Sequence, residues 1–92
     1  MKPDALLEAL GETRQLLARP ENRFDWSGWP SAEAALTEID AVIEGLRSAV
    51  FPDATHVAVL FAPTGPIQEV SVSSGWGDVF LALADRIDDA MR

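Results

Sequence analysis

The sequence predicts a two-layer α+β domain, residues 1–92, with the element order α-α-β-β-α. Three stretches carry apolar residues three and four positions apart, which is the spacing of one helix face. Between the second and the third, two short stretches alternate apolar and other residues on either side of a turn at residues 63–66. Alternation around such a turn is typical of a β-hairpin. We therefore expect an antiparallel hairpin packed against three helices.

A first helix is predicted over residues 3–18. Pro3 suits the first helical turn, where a missing backbone N–H costs nothing, and Asp4 lies near the positive end of the helix dipole. Pro20 cannot continue the helix and is expected to end it. The leucines that share one face at helical spacing are Leu6, Leu10 and Leu17.

A second helix is predicted over residues 32–50, with Ser31 as its N-cap. Its apolar residues form one stripe at helical spacing: Leu36, Ile39, Ile43, Leu46 and Val50. Residues 19–30, which precede it, are predicted to form a loop. The second half of this loop carries three large aromatic side chains, an unusual content for a plain connection: Phe24, Trp26 and Trp29.

The two predicted strands cover residues 56–62 and 67–73. Both faces of the first strand are apolar, with Val57, Val59 and Phe61 on one of them. The second strand places Val70 and Val72 on the same face. Because a two-stranded sheet is marginally stable and leaves both edges open, we expect a homodimer whose hairpins join into a four-stranded sheet.

A third helix is predicted over residues 75–91, with Ser73 or Ser74 as its N-cap. A strand that runs through small residues into a helix can also bind an anion at the helix N-terminus. No lysine or arginine lies nearby in the sequence, however, and the carboxylate of Asp78 would compete with an incoming anion. This junction therefore favours a simple helix start.

The third helix also has an acidic face opposite its apolar stripe. The stripe comprises Trp76, Phe80, Leu83, Ile87 and Met91, and the acidic face comprises Asp78, Asp85, Asp88 and Asp89. Leu81 stands among these acids. A hydrophobic side chain surrounded by charge describes the centre of a protein interface, although a single exposed leucine is also normal.

The net charge of −8, from 15 acidic and 7 basic residues, bounds the possible partners. Nucleic acids and anionic membrane surfaces are disfavoured because both are bound through basic patches. A basic protein partner is compatible. The chain has no cysteine, and no apolar run is long enough to cross a bilayer, so we expect a soluble, cytoplasmic protein.

Two segments carry a resemblance to other proteins: FDWSGWPSAEAALTEID, residues 24–40, and VLFAPTGPIQEVSVSSGWGD, residues 59–78. They resemble a group of small acidic bacterial proteins for which no activity is established. The resemblance therefore implies neither catalytic nor binding residues.

The sequence does not predict a catalytic site, a metal site or a cofactor. His56 is the sole histidine, and a serine nucleophile would have to use it as its general base. Nothing in the spacing of Ser71, Ser73 and Ser74 supports that pairing. An enzyme is therefore the least favoured class.

We expect a small, non-enzymatic protein-interaction domain that acts through acidic helix faces, for example an inhibitor or immunity-type protein. The alternative is a small-molecule binding domain with a cleft between the tryptophan loop and the start of the third helix. The residues of the candidate interaction or ligand surface are Arg23, Phe24, Trp26, Trp29, Trp76, Asp78, Leu81 and Asp85.

Overall fold

A computed structural model describes residues 1–49 and 52–92, and within these residues the chain forms five helices and no strand. The helices are α1 (Pro3–Leu17), α2 (Ala32–Arg47), α3 (Ala54–Leu60), α4 (Pro66–Ser74) and α5 (Gly77–Met91). The prediction of an α+β fold was therefore wrong. The predicted hairpin strands correspond to the short helices α3 and α4.

Burial along α3 and α4 shows why the strand prediction failed. Val57 is 1% exposed but Val59 is 57% exposed, and Val70 is fully buried while Val72 is 66% exposed. Residues two apart share a face in a strand, whereas they lie on different sides of a helix. Each pair is split between core and solvent, as a helix requires.

Helix α3 begins at a capping residue, and α4 both begins and ends at residues suited to those positions. In α3 the Asp53 carboxylate caps the first turn by accepting from the Thr55 N–H at 2.8 Å. Helix α4 starts with Pro66 in its first turn and ends before Gly75, which adopts a left-handed conformation with φ +87°. The predicted four-stranded sheet across a dimer loses its basis because the described residues offer no strand. A homodimer stays a prediction, without a surface assigned to it.

The longer helices were predicted more accurately. Helix α1 ends within one residue of its predicted end, and α2 begins where predicted, with the Ser31 hydroxyl accepting from the Ala34 N–H at 3.3 Å. Helix α2 ends at Arg47. Val50, predicted to lie in its stripe, is outside the described residues.

Helix α5 begins at Gly77, two residues later than predicted, and neither candidate serine caps it. Ser73 and Ser74 belong to the last turn of α4. The Ser74 hydroxyl instead accepts a hydrogen bond from the backbone N–H of Arg23 at 2.9 Å. This bond ties the loop after α1 to the junction between α4 and α5.

Helices α1 and α5 form the middle of the packing: they pack against each other, α1 also packs against α2, and α5 also packs against α4. Helices α1 and α5 are antiparallel: the Lys2 N–H donates to the Ala90 carbonyl at 2.7 Å, and Leu16 near the end of α1 lies beside Val79 near the start of α5. The buried apolar side chains form one cluster drawn from all five helices.

Three ion pairs, made by two arginines, join α1 to its neighbours. Arg14 forms a two-pronged bond with Asp40 of α2, with Nε to Oδ1 at 2.6 Å, and this bond raises the pKa of the Arg14 guanidinium. Arg86 of α5 pairs with Glu12 and, at 3.8 Å, with Glu8. The hydrogen bond between Arg86 and Glu12 lowers the pKa of the Glu12 carboxyl, and the same bond raises the pKa of the Arg86 guanidinium.

The helical period of α4 can be tested with two valine-to-alanine variants. Val70→Ala should lower the free energy of unfolding by about 2 kcal/mol, because it removes buried methyl groups and leaves a cavity. Val72→Ala should change it by less than about 0.5 kcal/mol, because Val72 is exposed. Urea denaturation measures both values. Similar losses at the two positions would indicate that they share a buried face, as in a strand.

The Glu12–Arg86 pair should make stability depend on pH. Since folding lowers the pKa of Glu12, the pair stabilises the fold above the ordinary pKa of the carboxyl, and this contribution is lost as the pH falls through the folded-state value. Urea denaturation at a series of pH values should show wild type more stable than Glu12→Gln at neutral pH, with the gap shrinking in acid. Glu21→Gln, at an exposed loop position, should show no such trend. A gap independent of pH would contradict the ion-pair assignment.

Candidate functional site

A groove of about 630 Å³ runs between α3 and α5. Its floor consists of core side chains from both helices, chiefly Val57, Phe61, Phe80 and Ile87. The polar groups in its lining are Gln68, Asp85 and Asp88. The groove is thus an apolar surface with carboxylates along one wall.

Phe61 and Phe80 hold the two sides of the groove together. Their rings are stacked, with centroids 6.5 Å apart and planes inclined by 5°. Both side chains are buried and belong to the main core. Because protein interiors are densely packed, a floor built from core residues is a preformed surface.

The carboxylates of the groove come from one flank of α5. Asp85 and Asp88 are three residues apart, so they project from the same side of the helix, and both are exposed. Among the described residues that line the groove, none carries a positive charge. The groove therefore favours a cationic group next to an apolar one.

The two flanks of α5 have different neighbours. On one flank Leu81, which is 58% exposed, lines the groove with Asp85. On the other, Val79, which is 47% exposed, lines a smaller cleft of about 240 Å³ against α1. These two exposed apolar residues of one helix therefore make a matched pair for mutation.

The turn between α3 and α4 closes one end of the groove, where Ala62 and Pro63 lie in its lining. In this turn the Gly65 N–H donates to the Ala62 carbonyl at 2.9 Å. A Cβ atom on Gly65 would lie 2.7 Å from the carbonyl oxygen of Val59 and 2.9 Å from that of Ala62. The close return of the chain therefore requires glycine at this position.

The groove brings together two of the residues predicted from the sequence, Leu81 and Asp85. Asp78 is exposed in the first turn of α5 and does not line it. Arg23 is exposed in the loop after α1, and Phe24 in the same loop packs against the core. The predicted surface is therefore divided between two regions of the molecule.

The three tryptophans do not line this groove. Trp76 is buried, and its indole N–H donates to the Asn22 side chain at 2.9 Å. The indole N–H of Trp29 donates to Glu38 at 3.2 Å. Trp26, in contrast, is 78% exposed. Two of the three indoles expected to line the predicted tryptophan cleft are therefore packed and hydrogen-bonded within the protein.

His56 faces a carboxylate of α2 rather than a serine. Its Nε2 atom lies 3.1 Å from Glu38 Oε2, at an exposed site. Ser71 is buried and donates to the Gln68 carbonyl at 2.7 Å. Within the described ranges, no three histidine, aspartate or glutamate side chains are grouped closely enough to hold a metal ion.

Sequence reasoning missed the floor of the groove. Val57, Leu60 and Phe61 follow the i, i+3, i+4 spacing of a helix face, and this signal was present in the sequence. The strand prediction placed Val57 and Phe61 on a sheet face with Val59. The stacking of Phe61 on Phe80 joins residues 19 positions apart, and no local pattern indicates that contact.

Comparison with protein-family models, curated proteins and solved structures gives no match to the chain. The resemblance to small acidic bacterial proteins therefore stays a prediction. Among the helices of residues 1–49 and 52–92, none has the length and apolar character needed to cross a bilayer.

The turn that closes the groove can be tested with two glycine-to-alanine variants. Gly65→Ala should lower the free energy of unfolding by about 1–3 kcal/mol, because the added methyl group meets two backbone carbonyls. Gly11→Ala should raise it by about 0.5–1 kcal/mol, because a Cβ there meets no neighbouring atom within 4 Å and alanine favours the helix. Thermal and urea denaturation measure both. If both variants changed the free energy of unfolding by the same amount and in the same direction, the close packing of the chain around Gly65 would be contradicted.

Proposed function

We propose that this chain is a small, non-enzymatic protein-interaction domain that binds a basic partner protein through the groove between α3 and α5. One observation carries the proposal: an apolar groove with a preformed floor is bordered by carboxylates and by no cation among its described lining residues. Such a surface complements a partner that presents apolar and positively charged side chains together.

The exposed leucine at the groove supports a protein interface. Leu81 stands on the same wall as Asp85, with Asp88 one turn further along. Interfaces commonly have an apolar centre that excludes water and a polar border that remains hydrated. Leu81 and the floor residues would supply the apolar centre, and Asp85 and Asp88 would supply the polar border.

The net charge of −8 supports a basic partner. Complementary charge accelerates encounter and selects among partners more than it adds affinity. An inhibitor or immunity-type protein, which must reach its target quickly and cover it, is a form of interaction domain that benefits from this charge. A cytoplasmic location accords with the lack of cysteine, because small secreted domains are commonly stabilised by disulfides.

A small-molecule binding domain is the second candidate, and the size of the groove favours it. The volume of about 630 Å³ falls within the range of roughly 300–1,000 Å³ typical of ligand pockets. The ligand would be apolar with a cationic group, as the groove lining requires. Native mass spectrometry of protein purified from its own host distinguishes a bound metabolite from a bound protein.

The partner proposal is tested by affinity capture from the host lysate with three baits: wild type, Leu81→Asp and Val79→Asp. Both variants place the same charge on an exposed site of α5, but Leu81 alone of the two lines the groove. We expect wild type and Val79→Asp to retain a basic protein that Leu81→Asp loses. The purified partner should then bind more weakly as salt is added, because counterions screen the charges.

Circular dichroism and thermal unfolding of each bait control for loss of fold. Retention of the same proteins by all three baits would argue against the groove as the binding surface. An affinity that does not respond to salt would argue against the electrostatic part of the proposal.

A further inference from the structure

We infer that the occupant of the groove is a single amphipathic, cationic α-helix of the partner protein. This inference rests on the proposed function and specifies the partner's recognised element. It follows from three features of the groove: its described walls are helical and offer no strand edge, its length along α5 matches a short helix, and its carboxylates lie on one flank.

The walls of the groove leave no backbone edge for an extended peptide. Both walls are helices, and in the interior of a helix the N–H and C=O groups are bonded to one another. Carbonyls near the end of α3 are also engaged: Val57 accepts from the Phe61 N–H, and Val59 accepts from the Ala62 N–H. An extended peptide on this apolar lining would bury unpaired backbone groups at a high cost, whereas a helix bonds its own. Helices are recognised in other proteins by laying an apolar face into such a groove.

The length of the groove matches a short helix. Its α5 wall extends from Phe80 to Met91, a distance of about 16 Å at the rise of an α-helix. Three helical turns, about eleven residues, cover that distance. The occupant would place an i, i+3, i+4, i+7 apolar stripe on the floor formed by Phe61, Phe80 and Ile87.

The carboxylates fix the charge of the occupant. Asp85 follows Leu81 by four residues and Asp88 by seven, so the three side chains follow one flank of α5. A helix seated beside them would meet an apolar contact at one end and two carboxylates along the rest. Lysine or arginine residues at the border of its apolar stripe would reach these carboxylates.

The test uses three fluorescently labelled peptides, of which the first two have identical leucine and lysine composition. In the first, leucine recurs at helical spacing; in the second, leucine and lysine alternate with the period of a strand. A third peptide has the helical spacing with glutamate in place of lysine. Fluorescence anisotropy at low salt measures the binding of each peptide to the full chain and to its variants.

We expect the helical cationic peptide to bind at least about tenfold more tightly than the other two. Leu81→Asp should weaken its binding about tenfold, the loss typical of a residue at the centre of an interface, while Val79→Asp should leave it unchanged. The double variant Asp85→Asn/Asp88→Asn should weaken binding more than Asp89→Asn, since Asp89 lies outside the groove lining. The circular dichroism of the helical peptide should gain helical signal on binding.

Other outcomes separate this inference from the proposed function. Equal binding of the alternating peptide, still lost in Leu81→Asp, would overturn the helical occupant and leave the groove as an interaction surface. Binding of the helical peptide that Leu81→Asp and Val79→Asp weaken equally would overturn the seating in the groove. If no cationic peptide binds, the helical occupant is rejected, and the bait experiment decides the proposed function independently.

Discussion

The burial of one stripe of α5 is the constraint on which the rest of the structure depends. Phe80, Leu83, Ile87 and Ala90 are buried in the core that α5 shares with the other helices. A helix that buries one stripe of its surface has a flank on either side of that stripe. On one flank α1 lies antiparallel and Arg86 pairs with Glu12. The other flank faces α3, and the groove lies there.

The groove remains open because α3 is short and the chain turns sharply after it. Helix α3 has seven residues, and it faces an α5 of fifteen, so it can cover only part of that flank. The tight turn at Gly65 then returns the chain into α4. Phe61 reaches Phe80 across the floor, which gives the groove a bottom without closing its top.

Long stripes made α1, α2 and α5 predictable, whereas the short elements were not. Over residues 57–61 every side chain is apolar or alanine, so a strand period and a helix period fit equally well. Asp53, Pro66 and Gly75 carried the decisive information, because they suit the ends of helices. Leu81 and Asp85 could be placed on the exposed side of the third helix because that helix was predicted. The floor of the groove is formed in part by α3, and because α3 was predicted as a strand, the floor could not be predicted.

The arrangement of charge on α5 would separate two roles within the proposed binding surface. Asp89 pairs with Arg92 at 3.5 Å, and Arg86 is committed to α1, whereas Asp85 and Asp88 make no ion pair with any described residue. Two of the unpaired carboxylates of α5 therefore lie along the groove, whereas Asp78, in the first turn of the helix, lies outside it. Exposed carboxylates mainly govern the rate of encounter with a cationic partner, and desolvated apolar contacts mainly govern how long the complex persists. In the complex proposed above, the aspartates would therefore bring the partner to the groove, and the floor with Leu81 would hold it there.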